Sequence, residues 1–172
     1  MSTEAWATLV AKDEIRELAL LYSRGVDRKD AALLRDLYTD DATDTHGDTF
    51  DGPAQDYVAF LERAFPYMRY SGHHICNHLI SVNGNQAEGE IYALAYHVIP
   101  DGHGGWQEDF MCVRYLDRYR KQDGRWRFAQ RVVTYDYKRR RPITDADAAV
   151  PRFDDPSASL LKSRLFASGA RA

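Results

Sequence analysis

The feature that most constrains the fold is a change of period partway along the chain. Ile15, Leu18, Ala19, Tyr22 and Val26 recur at helical spacing, which predicts an amphipathic first helix that Gly25 weakens near its end. Asp30 is placed to cap a second short helix over Ala31 to Tyr38. Pro53 opens a third, roughly Pro53 to Tyr67, with Tyr57, Phe60, Leu61 and Phe65 on its apolar face. Between them "TDDATDTHGDTFDG" is turn-rich and has room only for short strands. Beyond residue 70 the pattern becomes four long segments rich in Val, Ile, Tyr and Phe, at about 71–82, 87–99, 106–120 and 125–137. "NGN", "DGHGG" and "DG" separate them, and such pairs accept the positive φ that hairpins need. Three helices followed by an antiparallel meander give an α+β domain. Strands this long twist and curl, so the helices pack on the concave face of a cone with an apolar interior.

Composition narrows the function classes. At 172 residues one domain is expected, with room for a core. We read that domain as 1–140, and 141–172 as a tail lying on the domain, the pocket mouth or a neighbouring subunit. A net charge of −3 gives no global basic field for nucleic acid or an anionic membrane. "MSTEAWATLVAKDE" carries acids where a secretory leader is basic, and the early apolar run Leu18 to Tyr22 is far too short for a bilayer. Cys76 and Cys112 are too few for a disulfide framework, which points to a reduced, cytoplasmic protein with two buried thiols. The run Lys138 to Arg141 reads as a solvated strand end rather than a nucleic-acid site.

The chemistry concentrates in "SGHHICNHLISVNGNQA". Alternation along a strand places His73, Ile75, Asn77 and Leu79 on one face, and His74, Cys76, His78 and Ile80 on the other. A metal site fits poorly, because His74 and His78 lie about 13 Å apart on a strand. An imidazole near neutrality can instead remove a proton, given a carboxylate to orient its other nitrogen. In "YSRGVDRKD" Asp27 stands at a helix end as that partner for His73, and Tyr22 lies about 140° around the helix. Both reach one cavity if the helix bends or ends near Gly25. A solvated helix-end carboxylate and a satisfied core histidine fit the same spacing. A one-residue shift or a β-bulge would put His74 in place of His73.

Three stretches carry a resemblance: "IRELALLYSRGVDRKD", "HHICNHLISVNGNQAEGE" and "DRYRKQDGRWRFAQRVVTYDY". Over about residues 8–137 the chain resembles the SnoaL-like branch of the nuclear transport factor 2-like superfamily, with its cystatin-like fold. In motif it is similar to the scytalone dehydratase, hexachlorocyclohexane dehydrochlorinase and bile acid 7α-dehydratase lyases. The resemblance implies that Asp27 and His73 form the catalytic pair and that Tyr22 is the accompanying tyrosine. It departs at Tyr135 and Gln122, where those lyases carry arginines; Arg131 lies near Tyr135 on the same face.

The function expected is a cofactor-independent lyase, with no metal. It acts by dehydratase-type elimination on a small hydrophobic, cyclic substrate, with His73 as base, Asp27 as orienter and Tyr22 as donor. Asn77, Arg131, Tyr135 and His74 are the candidate substrate-binding residues. The alternatives are an isomerase or cyclase on the same scaffold, or a non-catalytic binding module or small subunit of a ring-hydroxylating dioxygenase. The resemblance also implies a homodimer or homotrimer built through the outer sheet face.

Overall fold

The computed structural model describes residues 2–144 and 156–170. Helix α1 (Thr3–Asp27) starts at Ser2, whose hydroxyl accepts from the Ala5 N–H, and buries Ala11, Ile15, Leu18, Tyr22 and Val26. It runs unbroken to Asp27 instead of weakening at Gly25. Gly25 serves packing instead: a Cβ there would come within 2.7 Å of the Leu34 side chain on α2 (Ala31–Asp36). Asp30 caps α2 by accepting from the Leu33 N–H at 2.9 Å. That helix is shorter than its sequence pattern, because Tyr38 already belongs to β1 (Tyr38–His46). After β2 (Phe50–Pro53) comes α3 (Ala54–Ala64), closed by a 3-10 turn over Phe65–Tyr67.

The remaining strands are β3 (Tyr70–Asn83), β4 (Gln86–Pro100), β5 (Trp106–Gln122) and β6 (Arg125–Ile143). They form the expected antiparallel meander, but the sheet has six strands in the order β2-β1-β6-β5-β4-β3. The addition comes from the polar segment read as turn-rich: β1 pairs parallel with β6, and β2 folds back antiparallel on β1. Ala42 and Asp44 are the buried residues of its middle stretch. A buried carboxylate breaks the hydrophobic alternation by which a strand is recognised.

Two irregularities decide which residues face the helices. The β3–β4 register shifts between Ile75 and His78. Cys76 and Asn77 therefore both lie exposed, and His78, Ile80 and Val82 turn toward the core side in place of Asn77 and Leu79. On β6 a shift near Ala129 takes the buried series from Trp126 and Phe128 to Arg131 and Val133. Strand β6 also continues past the expected end. Lys138 and Arg140 pair with Asp109, and Arg139 and Arg141 with Glu108, both acids being buried on β5.

One apolar cluster joins α1, α2, α3 and the near ends of β5 and β6; a second, around Ile91, Met111, Val113, Tyr115 and Val133, lines the sheet's concave side. The tail forms α4 (Ser157–Leu160) and a 3-10 turn over Arg164–Phe166. Arg24 holds that turn through the Phe166 carbonyl at 3.1 Å. The segment 145–155 of the tail lies outside the described residues. No described helix is long and apolar enough to cross a membrane. Neither thiol is fully buried as expected: Cys76 is exposed and Cys112 half-buried.

Candidate active site

Asp27 is the last residue of α1, where the helix dipole is negative and a carboxylate is disfavoured. Its setting offsets that cost. Oδ1 accepts from His73 Nδ1 at 2.7 Å and from the Ser71 hydroxyl at 2.9 Å, and Oδ2 accepts from the His73 backbone N–H at 3.0 Å. Burial works against the charge. The His73 ring, its N–H and Ser71 outweigh burial and hold the Asp27 carboxyl below its ordinary range. Both side chains are largely buried, His73 at 7% and Asp27 at 15% exposure. With Nδ1 engaged, Nε2 is the nitrogen left to accept a proton.

His73 lines a small inner cavity of about 70 Å³ between the helices and the concave sheet. Its polar lining is Tyr22, His46, Tyr57, His73, His97 and Tyr135, and its apolar lining includes Val26, Leu61, Met111, Val113 and Val133. Wider grooves lie on the outer sheet face around Leu79 and Leu116, but no imidazole lines them.

Tyr22 projects from α1 into the chamber, packed edge-on against Tyr38, Tyr115 and Phe128. Burial, reinforced by nearby Asp44 and opposed by Arg131, pushes its hydroxyl up to about 12, so it stays a proton donor at neutral pH. Tyr135 lines the cavity beside the β1–β2 turn. There Gly47 adopts φ 50°, and a side chain at that position would run into the Tyr135 ring.

Three expected binding residues are elsewhere. His74 and Asn77 are exposed, His74 because it alternates with His73 and Asn77 because the bulge turns it outward. Arg131 shares the Tyr135 side of β6, as alternation implied, but its charge is committed. Its guanidinium donates to both Asp117 oxygens at 2.8 and 2.7 Å. It also stacks on Tyr22, Tyr115 and Phe128, 4.0–4.3 Å from the ring centroids. It supports the Tyr22 ring from beneath and does not line the cavity.

The sequence reading missed His46, Asp44, Tyr57 and His97. His46 Nδ1 pairs with Asp44 Oδ1, and its Nε2 is hydrogen-bonded with the Tyr57 hydroxyl at 2.8 Å. Asp44 and His46 are two apart, which puts them on one face only once their segment is known to be a strand. His97, on β4, sits with its ring 5.1 Å from that of His73. Its Nε2 is buried without a partner, and burial pulls its ionisation down to about 3, so it is neutral. Among the described residues no group of three or more His, Cys, Asp or Glu is arranged to hold a metal ion.

A family model described as SnoaL-like domain matches residues 7–132. Solved structures share the fold at low identity. A protein of Novosphingobium aromaticivorans provisionally named a scytalone dehydratase is 23% identical, covering 86% of this chain and 97% of its own, with a TM-score of 0.70. A hexachlorocyclohexane dehydrochlorinase, LinA type 2, is 20% identical over 84% of this chain and 96% of its own, with a TM-score of 0.72. The Kfla4162 protein of Kribbella flavida is 23% identical over 77% and 95%, with a TM-score of 0.69. No curated protein matches the sequence.

Proposed function

This chain belongs to the SnoaL-like domain family, and on that premise we propose that it is a lyase whose His73–Asp27 pair removes a proton from carbon. The observation that carries the reading is the 2.7 Å contact between His73 Nδ1 and Asp27 at the wall of a small, mostly apolar chamber. Asp27 fixes the tautomer and stabilises the imidazolium that forms on proton transfer. A carbon next to a carbonyl gives the most accessible proton. The Tyr22 hydroxyl donates to that carbonyl or to the departing oxygen, and Tyr135 adds a further hydroxyl-bearing ring to the lining. Positioned acid–base groups of this kind are worth ~10²–10⁴-fold in rate. The reaction proposed is elimination of water from a cyclic β-hydroxy ketone without a cofactor. Two of the fold neighbours bear dehydratase or dehydrochlorinase names, which agrees with an elimination. The chamber falls well below the roughly 300–1,000 Å³ of ordinary ligand clefts, so the substrate is compact or displaces lining side chains.

The test is a panel of cyclic β-hydroxy ketones followed by mass spectrometry. A product lighter by one water supports elimination; a product of unchanged mass assigns an isomerase instead. No product anywhere in the panel, with ligands still bound, would favour a binding module.

A second observation bears on assembly. The outer sheet face exposes Leu79, Tyr92, Leu94, Leu116 and Tyr137, Leu79 at 70%. We propose that a second or third copy of the chain covers this face.

A further inference from the structure

The chamber holds a second histidine–carboxylate pair that the proposed base does not use. Asp44 is wholly buried, and both oxygens are engaged: Oδ1 by His46 Nδ1, and Oδ2 by the Tyr38 hydroxyl at 2.6 Å. His46 Nε2 meets the Tyr57 hydroxyl at 2.8 Å, with the Tyr22 hydroxyl at 3.4 Å, and the two hydroxyls lie 3.5 Å apart. The His46 ring stacks on Tyr57 at 4.1 Å between centroids. His46, Tyr57, Tyr22 and His73 all face the same cavity. A buried histidine–carboxylate pair is a weak route to stability, because apolar side chains of similar volume usually do as well. A histidine oriented by a carboxylate and bonded to a phenol at a cavity wall is the arrangement by which general acids move protons.

We infer that Asp44, His46 and Tyr57 form a proton relay that delivers a proton to the departing oxygen, in the same cavity as the base that takes one from carbon. In the loaded form His46 is an imidazolium: Nδ1–H donates to Asp44 and Nε2–H donates to the Tyr57 oxygen. The Tyr57 O–H is then turned toward the chamber. As His73 Nε2 takes the C–H proton, that electron pair forms the new C=C bond and the C–O bond breaks with its electrons on oxygen. The Tyr57 proton converts the departing hydroxide to water, and His46 Nε2–H restores the phenol. His46 is left neutral with its remaining proton on Nδ1, facing Asp44, an arrangement the observed contacts accommodate. One proton has arrived at His73 and one has left His46; exchange with solvent resets both. Asp44 acts as a positioning residue, holding the His46 tautomer.

This inference rests on the elimination proposed above, but its test does not. The probe is 4-nitrophenol, whose phenol and phenolate absorb at different wavelengths and which offers no acidic C–H to His73. Bound in the chamber of the full chain, it should pass its proton to the relay and be held as phenolate below its midpoint in water. Tyr57→Phe keeps the ring and removes the hydroxyl. It should raise the midpoint of the bound probe by about one unit, a tenfold change. His46→Gln keeps a hydrogen-bonding side chain but cannot store the proton, and should shift the midpoint the same way. His73→Ala should leave it in place. The relay is overturned if wild type does not bind the probe, binds it as phenol, or gives the same midpoint in Tyr57→Phe. It is also overturned if His73→Ala alone abolishes the phenolate. Should phenolate binding follow the relay while no ketone is turned over, the His73 reading fails and the oxyanion site remains.

Discussion

At the scale of single residues, two positions in "YSRGVDRKD" are set by what they touch. Gly25 admits the Leu34 side chain, itself wholly buried, so Gly25→Ala gains helix propensity but overpacks the α1–α2 contact. The expected outcome is a net loss of about 1–2 kcal/mol, read as a lower urea midpoint at unchanged slope. The contact between Asp27 and His73 was legible because each is a residue type the proposed chemistry needs, at the end of an unmistakable helix and on a long strand. Asp44 and His46 were not. Their strand has no apolar alternation to reveal it, and a buried carboxylate reads in sequence as a loop residue. His97 was hidden for a different reason: it looks like an ordinary strand histidine until β4 is laid beside His73.

At the scale of elements, the helices and the meander follow from period and turn chemistry, whereas the sheet irregularities do not. Nothing in "HHICNHLIS" marks the bulge between Ile75 and His78, because both registers bury aliphatic and histidine side chains. The bulge removes Asn77 from the chamber and leaves His73 in it. On β6 the comparable shift near Ala129 carries Arg131 beneath the Tyr22 ring, against Asp117 on the neighbouring strand. Arg131→Ala would strand a buried carboxylate and is expected to cost about 3–5 kcal/mol in chemical denaturation. The double change Arg131→Met with Asp117→Leu removes both charges and should recover most of that loss. If the single variant cost no more than the double, the pair would not be the support we describe.

At the scale of the whole molecule, acid should weaken the fold from within the site. Folded His97 ionises near 3 against 6.5 for an unrestrained histidine, chiefly through burial. Between those values the unfolded chain binds a proton that the folded chain refuses, so stability falls as pH falls. From pH 6.5 to pH 5 wild type should lose about 2 kcal/mol relative to His97→Leu, measured by urea unfolding at both pH values. Asp27 adds to this lower down. Its folded value is depressed, so its contribution is present above about 3.8 and is lost as pH falls through the folded value. The outer sheet face sets a further expectation. Light scattering should report a dimer or trimer, and Leu116→Glu, on that exposed face, should shift it toward monomer. The central claim is that His73, oriented by Asp27, takes a proton from carbon, and α-deuterium exchange tests it most directly. With cyclic ketones and β-hydroxy ketones in D₂O, wild type should incorporate deuterium at the carbon next to the carbonyl or expel water. His73→Ala and Asp27→Asn should each slow this by ~10²–10⁴-fold while remaining folded. Exchange at the wild-type rate in both variants would contradict the account.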